Sequence, residues 1–333
     1  HFIGLLMKAD VLKLIRSSKE YVSLDLICEA CELSASAAKT TISQLEASGY
    51  DIDYDREKGY KLISYPENIS SAELMSRATT NWAGKVVFYR RETTSTNEDA
   101  KLLAEDGRGQ GALIVAENQT AGKGRKGRSW YTDGRNSVAF SLILRPDFDI
   151  QKVKMIPMVM SIAIADVLTK LTDLEVKIKW PNDIIIEGKK VCGILTEMGT
   201  KDDKIDHVIV GVGINLNQKM MPEDIADKAT SLFIEKGERY SRADIIVAIM
   251  EFFEYYYDIF VSSGDISDMV AVYEGYLINK DKEVVVHDPA GDYKGTATGI
   301  NDYGELIIQR DDFSRVFDGI AAHGQDFLPE GIA

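Results

Sequence analysis

Three short stretches of this chain carry residues whose types and spacing could do chemistry. The first, AGKGRKGRSW (121–130), sets four cations, Lys123, Arg125, Lys126 and Arg128, among three glycines. Glycines let a backbone close on a small ligand, and dense positive charge suits an anion. Gly122 to Ser129 comes within one residue of a P-loop, with Arg128 in the lysine's place. A P-loop needs a helix directly after it, because helix N-terminal amides complete the phosphate cradle. Here SWYTDGRNSVAFSLIL turns into a strand, which excludes a P-loop. What remains is a glycine-rich anion loop between two strands, or else a mobile basic surface loop.

The second stretch is KWPNDIIIEGKKVCGI. Alternation puts Val176, Ile178 and Trp180 on one face of the preceding strand and Lys177 and Lys179 on the other. Pro181 ends that strand and presents Asn182 and Asp183, which are also ordinary turn formers. The turn at Glu187-Gly188 returns a strand with Lys189 and Lys190, so several cations meet one carboxylate, a costly grouping unless an anion sits there. The third stretch, HVIVGVGINLN, sends Val208, Val210, Val212, Ile214 and Leu216 to one face and Gly211, Gly213 and Asn215 to the other. Two glycines on one face weaken a strand, and a usual reason is that something lies against the backbone there; a bulge or close helix packing is the alternative.

These stretches need a scaffold. At 333 residues the chain exceeds what one core usually serves, which predicts two or three domains. A net charge of -14 argues against general nucleic-acid affinity and leaves only local patches. Composition is that of a globular protein, with no apolar run read as a membrane span and no export signal at the start, so a cytoplasmic location is expected. The opening HFIGLL, before Met7, is left outside the expected fold. Three cysteines make no disulfide framework. Cys28 and Cys31 form a C-x-x-C without a second pair at metal-site spacing, and read as small apolar residues one helical turn apart.

The first sixty-odd residues read as a unit. Val11, Leu12 and Ile15 mark one helix; Leu24, Ile27, Cys28 and Cys31 a second; Ala38, Ile42 and Leu45 a third, with Ser34 and Ser36 placed to cap it and Gly49 to close it. YDIDYDREKGYKLIS then reads as a hairpin. This order resembles a winged helix-turn-helix DNA-binding domain, with a small three-helix interaction domain as the alternative. The third helix has only Lys39 as a cation, so base reading would rest on Ser36, Thr40, Thr41, Ser43 and Gln44. A Pro- and Ser-bearing linker follows. From Val86, strands outnumber helices and many are hairpin neighbours, which predicts an α+β fold with a mixed sheet; the helix after Thr94 is capped by Ser95 or Thr96. After Leu277, short strands and Gly turns predict a small β-barrel.

Taken together, ETTSTN, ENQTAGKGRKGRSW, KWPNDI, KKVCGIL and GVGINLN, in this order, resemble the biotin protein ligases. With the winged helix and the final barrel, nearly the whole chain is similar to the bifunctional ligases that also repress biotin genes; lipoate ligases share the fold but not the G-[KR]-G-R-x-G-R-x-W loop. The resemblance implies a winged helix-turn-helix domain at 7–64, a linker at 65–78, a class II synthetase-like ligase domain at 79–276 and an SH3-like β-barrel at 277–328. It implies that ATP and biotin give biotinyl-5'-AMP and pyrophosphate, after which a lysine of a biotin carboxyl carrier protein attacks the mixed anhydride. Ser95, Thr96, Asn97 and Gln119 would then bind biotin, with Gly211 and Gly213 as its floor. Gly122, Lys123 and Arg125 would contact biotin, and Lys123, Arg125, Arg128 and Lys179 the phosphate side. Trp130 would stack on adenine, with Asn182 and Asn215 facing the adenylate. Lys190 would sit between the biotin carboxylate and the α-phosphate, acting in catalysis with Arg125 and Asp183. Asp183 would either help bind Mg2+ or receive the carrier lysine's proton. Ser36, Lys39, Thr40, Ser43 and Gln44 would face operator DNA, and ligand would order the loops and favour a homodimer. Lys123 departs from the family's usual arginine, keeping the charge and losing the bidentate fork. Two rival readings are a ligase whose first domain does not repress and a biotin sensor without catalysis.

Overall fold

The computed structural model describes residues 2–286, 291–310, 314–318 and 328–329. Helix α1 (Phe2–Ser17) begins within HFIGLL, so from Phe2 onward that stretch belongs to the fold, and Leu6 packs against the central core. Helix α2 (Leu24–Ala30) is capped by Ser23, and α3 (Ala35–Ala47) by Ser34, whose hydroxyl accepts from the Ala37 amide. Strands β1 (Asp51–Asp55) and β2 (Gly59–Ser64) form the wing. Val11, Leu12, Ile15, Ile27, Ala38, Ile42 and Leu45 bury together as one core. Cys28 and Cys31 pack against that core, and burial raises the Cys31 thiol pKa. Gly59 has φ +104°, and a Cβ there would fall 2.1 Å from the Val22 carbonyl oxygen, so only glycine lets the wing close on residue 22.

Within the expected linker the chain forms a buried helix, α4 (Ser71–Arg77), whose residues Ser71 to Ser76 are all inaccessible. Its Glu73, fully buried, gathers partners from both sides. Arg16 of α1 donates from Nη1 and Nη2 to the two carboxylate oxygens at 3.1 and 2.7 Å. Arg77 Nε donates at 2.6 Å, and the Tyr50 hydroxyl, just beyond α3, donates at 2.6 Å. Burial and the neighbouring carboxylate push the Tyr50 phenol up to about 12. Helix α1 is shared: Val11, Leu12 and Ile15 serve the winged-helix core, while Ala9 belongs to the central one.

The central unit runs β3 (Val86–Thr93), α5 (Thr96–Glu105), β4 (Ala112–Gln119), β5 (Ser137–Leu144), α6 (Ile156–Thr172), β6 (Lys177–Lys179), β7 (Asp183–Ile186), β8 (Lys189–Lys201), β9 (Lys204–Asn215), α7 (Leu232–Lys236), α8 (Arg242–Ser263) and α9 (Val270–Tyr276). Its seven strands order as β3-β4-β5-β9-β8-β7-β6. Only β3 and β4 pair in parallel, so the sheet is mixed, and the fold is α+β. The segment Ile150–Thr172 is apolar and long enough to cross a membrane by composition, contrary to the expectation of no such run; 78% of its most apolar window is buried in this core. On the other face, Ala100 and Ala104 of α5 cover Ile114, Ile143 and Ile209.

The last strands, β10 (Lys282–Val286), β11 (Tyr293–Ile300), β12 (Leu306–Gln309), β13 (Arg315–Asp318) and β14 (Leu328–Pro329), form an antiparallel sheet ordered β13-β12-β11-β10-β14. Among the described residues its end strands do not pair with each other; parts of the expected barrel, at 287–290, 311–313 and 319–327, lie outside the described residues.

Glu73→Gln keeps shape and removes the charge that two arginines face. Breaking a buried pair from one side costs about 3 kcal/mol or more, so urea unfolding should show a loss of that order. The Tyr50 phenol is raised above its ordinary value near 10. Its contribution to stability is therefore complete below pH 10 and lost as pH rises through about 12. Tyr50→Phe should flatten that alkaline fall in a pH series of unfolding curves.

Candidate active site

The α5 face of the sheet changes character along its length. Past the apolar patch under α5, β5 and β9 pair Ser141 with Gly211 and Ala139 with Gly213, while β8 sets Gly193 opposite Gly213. On β5 and β9 the side chains shrink to hydrogen, methyl and hydroxymethyl, with Gly193 and Leu195 facing them from β8, and a cavity of about 200 Å³ opens over them.

At one end of this floor lie neutral hydrogen-bonding groups. Ser95, Thr96, Asn97 and Gln119 all line the cavity. Ser95 occupies the cap position of α5 without a side-chain capping bond, so its hydroxyl is not committed to the helix. Gln119 Oε1 accepts from the Thr96 amide at 2.8 Å and from its hydroxyl at 3.1 Å. Asn97 Nδ2 donates to Glu197 Oε2 at 2.6 Å, and the fully buried Ser141 Oγ lies 2.6 Å from Asn97 Oδ1 and 2.8 Å from Thr96 Oγ1. Ser141, Gly193 and Glu197 were not singled out in the sequence. Small residues at alternate positions 137, 139 and 141 of SVAFSLIL were the available signal for Ser141.

Cations gather at the other end. Lys123, Arg125, Arg128, Lys179 and Lys190 line the cavity with Asn182 and Asp183. Lys190 Nζ is 2.7 Å from Asp183 Oδ1. Asn182, 4% exposed, donates to the Ile194 carbonyl at 2.5 Å and accepts from Arg125 Nη1 at 3.0 Å. Lys189, expected to join this cluster, instead donates to the Ala226 carbonyl at 2.9 Å. The reason is a bulge: Ile184 pairs with Cys192 but Ile185 with Lys190, leaving Val191 as the extra residue. The bulge shifts the alternation of β8 by one and brings Lys190 to the side of Gly193, where an added Cβ would lie 3.2 Å from its Nζ.

The loop at 121–130 folds as a narrow hairpin, with Trp130 N donating to Gly122 O at 2.8 Å and Gly124 N to Arg128 O at 2.7 Å. Gly122 does not itself line the cavity; a Cβ there would meet the Trp130 carbonyl oxygen at 2.6 Å, so its glycine serves the hairpin. Lys123 turns to Glu98, which raises the lysine pKa and lowers that of the carboxylate. Both are well exposed, so the pair is weak. Asn215 is likewise drawn away from the cavity: its Oδ1 accepts from Gln218 Nε2 at 3.3 Å.

The floor is covered by the protein's own side chains. A Cβ on Gly211 would lie 2.0 Å from Asn97 Oδ1, and one on Gly213 2.2 Å from Trp130 Nε1. The Trp130 indole thus lies across Gly213 and Gly193, its buried Nε1 without a hydrogen-bond partner, with Lys190 Nζ 5.7 Å from the ring centroid. Stacking on adenine, as the resemblance implied, therefore requires the indole to leave the floor. Among the described residues Asp183 is the one carboxylate lining the cavity, and no group of three metal-ligating side chains occurs. A Mg2+ ion often takes one or two carboxylates and draws its remaining ligands from phosphates, so this donor set fits an ion brought by a polyphosphate.

On the winged helix, Ser36, Lys39, Thr40, Ser43 and Gln44 are all exposed on α3. Thr41 is buried in the core instead, because it falls on the stripe of Ala38, Ile42 and Leu45. Arg56 and Lys58, at the tip of the wing, are exposed cations that the helix-centred reading passed over.

A neutral polar pocket, a glycine-bearing floor and a cationic end define a slot for an acid activated as its adenylate, on a chain that also carries a helix-turn-helix unit. Family models agree: an HTH domain matches 8–61, the biotin/lipoate A/B protein ligase family 87–215, and the biotin protein ligase C-terminal domain 281–317. The bifunctional ligase/repressor BirA of Bacillus subtilis is 34% identical over 91% of this chain and 94% of its own length. That of Escherichia coli is 25% identical over 90% and 92%. The solved biotin protein ligase from Aquifex aeolicus, in complex with biotin and ATP, superposes with a TM-score of 0.64 at 26% identity, covering 74% of this chain and 99% of that one. The chain belongs to the biotin protein ligases of the bifunctional ligase/repressor type.

Gly211→Ala should force Asn97 off its partners Ser141 and Glu197. Overpacking of this kind costs about 1–3 kcal/mol, and calorimetry should show a lower Tm together with weakened biotin binding.

Proposed function

We propose that this chain is an ATP-dependent biotin protein ligase that also acts as a biotin-responsive transcriptional repressor. The observation that carries the ligase reading is the separation, across one glycine floor, of the Thr96–Gln119 group from the Lys190–Asp183 pair. Biotin's ureido ring is neutral and needs neutral donors and acceptors, which Ser95, Thr96, Asn97 and Gln119 supply. Its carboxylate then reaches the cationic end, where Lys190 and Arg125 stabilise the charge that grows as that oxygen attacks the α-phosphate. Pyrophosphate leaves, and the biotinyl-adenylate stays in the slot until a lysine of a biotin carboxyl carrier protein displaces AMP. Arg128 and Lys179 flank the phosphate side. Mg2+ bound to ATP would supply charge neutralisation, with Asp183 as the protein carboxylate that would hold it; the alternative role for Asp183 is to receive the carrier lysine's proton in the transfer step.

Incubation with ATP, Mg2+, biotin and a biotin-accepting carrier domain, read by the mass shift on the carrier lysine, tests the ligase directly. Lys190→Ala should slow adenylate formation by about a hundredfold or more, since the cation at the reacting centre is lost. Adenylate formation at the wild-type rate in that variant would overturn the assignment. Lys123 keeps the positive charge at its position, and activity should survive with lysine there.

The exposed face of α3 supports DNA binding, with Ser36, Lys39, Thr40, Ser43 and Gln44 toward operator bases. Adenylate in the slot favours a homodimer able to span two half-sites, which couples DNA binding to biotin supply through differential affinity. Residues 8–61 hold eight Lys and Arg against ten Asp and Glu. Few phosphates are therefore neutralised, and binding to a biotin-gene promoter fragment should depend only shallowly on salt. Titrations at several salt concentrations, with and without adenylate, measure this; no binding at low salt would remove the repressor half and leave a ligase alone.

A further inference from the structure

The C-terminal sheet reaches the active site through the residues just ahead of Asn182. The Trp180 indole Nε1, on a side chain only 6% exposed, donates to the Gly304 carbonyl at 2.9 Å. The Tyr273 hydroxyl, fully buried in the middle of α9, donates to the Pro181 carbonyl at 3.1 Å. Ile278 N donates to the Ile178 carbonyl at 3.0 Å, so the chain entering the sheet is tied to β6 as well. Gly304 sits in a tightly built turn between β11 and β12. Asn301 Oδ1 accepts from the amides of Tyr303 and Glu305, and the Asp302 carbonyl accepts from Ile266 N of the central unit. On its other side, the Trp180-Pro181 segment continues directly into Asn182, which holds Arg125 and the Ile194 carbonyl, and Asp183, which holds Lys190.

We infer that Trp180 and Tyr273 are positioning residues for the adenylation step: Trp180, tied to the C-terminal sheet at Gly304, and Tyr273, from α9 of the central unit, together fix the Asn182-Asp183 turn against Arg125 and Lys190. The inference rests on the ligase reading above. Both contacts end on the cationic side of the slot. None of them touches Ser95, Thr96, Asn97 or Gln119, so these contacts act on the nucleotide side of the slot and leave the biotin head alone. The Tyr273 phenol is kept neutral by burial and by the nearby Asp183 carboxylate, so it stays a hydrogen-bond donor throughout the working pH range.

Tyr273→Phe removes one hydroxyl and leaves the ring in the core; Trp180→Phe removes the indole donor. Full-length variants are compared by ATP–pyrophosphate exchange and by calorimetric titration with biotin alone. Loss of one neutral hydrogen bond at the upper end of its worth corresponds to about tenfold, so exchange kcat/KM for ATP should fall by that order in each variant. Biotin Kd should stay within about twofold, since that end of the slot is untouched. Ile308→Val, in the core of the same sheet and away from the turn, serves as a control for general loosening. A Tyr273→Phe exchange rate equal to wild type overturns the inference. An equal loss of biotin affinity does so too, and so does an ATP defect of the same size in Ile308→Val. Absence of exchange in the wild-type protein would instead overturn the ligase reading itself.

Discussion

The structure turns on one constraint in the β5-β9-β8 ladder: a two-residue alternation that must satisfy opposite demands on its two faces. Toward α6 and α8, Val208, Val210, Val212 and Ile214 fill a core without gaps. On the reverse, the same strand presents Gly211 and Gly213, met by Gly193 from one neighbour and by Ala139 and Ser141 from the other. In the Gly213 row, between Gly193 and Ala139, all three strands give up large side chains together; in the next row Leu195 of β8 faces Gly211. The rest of the site is arranged around this bare patch: α5 brings the neutral groups to its one end, and the Asn182 turn and bulged β8 bring charge to the other.

Most of this was legible because it is periodic or punctuated. Glycines at alternate positions, a Pro-Asn-Asp turn and a glycine-rich basic loop announce themselves in a linear string, and each takes a place at the cavity or in its supports. What escaped depends on partners distant in sequence. Alternation in KKVCG does not mark which lysine faces inward; the resemblance alone pointed to Lys190, and the one-residue bulge at Val191 is what turns it there. Asn215 looks like a ligand contact until Gln218 is seen holding its amide. Thr41 has a hydroxyl suited to reading bases, yet its position on the helix gives it to the core. The segment around Pro66 has a linker's composition, and becomes a buried helix because Arg16, Tyr50 and Arg77 converge on its glutamate.

Trp130 links the resting site to its chemistry. An indole lying on the glycine floor covers Gly213 and keeps Lys190 beside an aromatic face. A buried indole N–H without a partner is an unsatisfied cost, which any ligand that moves the ring relieves. Binding therefore exchanges one occupant of the floor for another.

The sharing of α1 between two cores bears on how such a protein could be shortened in evolution. Excising the winged helix would not free a smaller enzyme with a finished surface. It would strip Ala9 and Leu6 from the ligase's own interior, expose the apolar flank of α4 and leave Glu73 facing a single arginine. Loss of the regulatory half would have to be accompanied by a resurfaced α4, so gene fusion and fission here are not symmetric events: joining needs only contact, while parting needs repair.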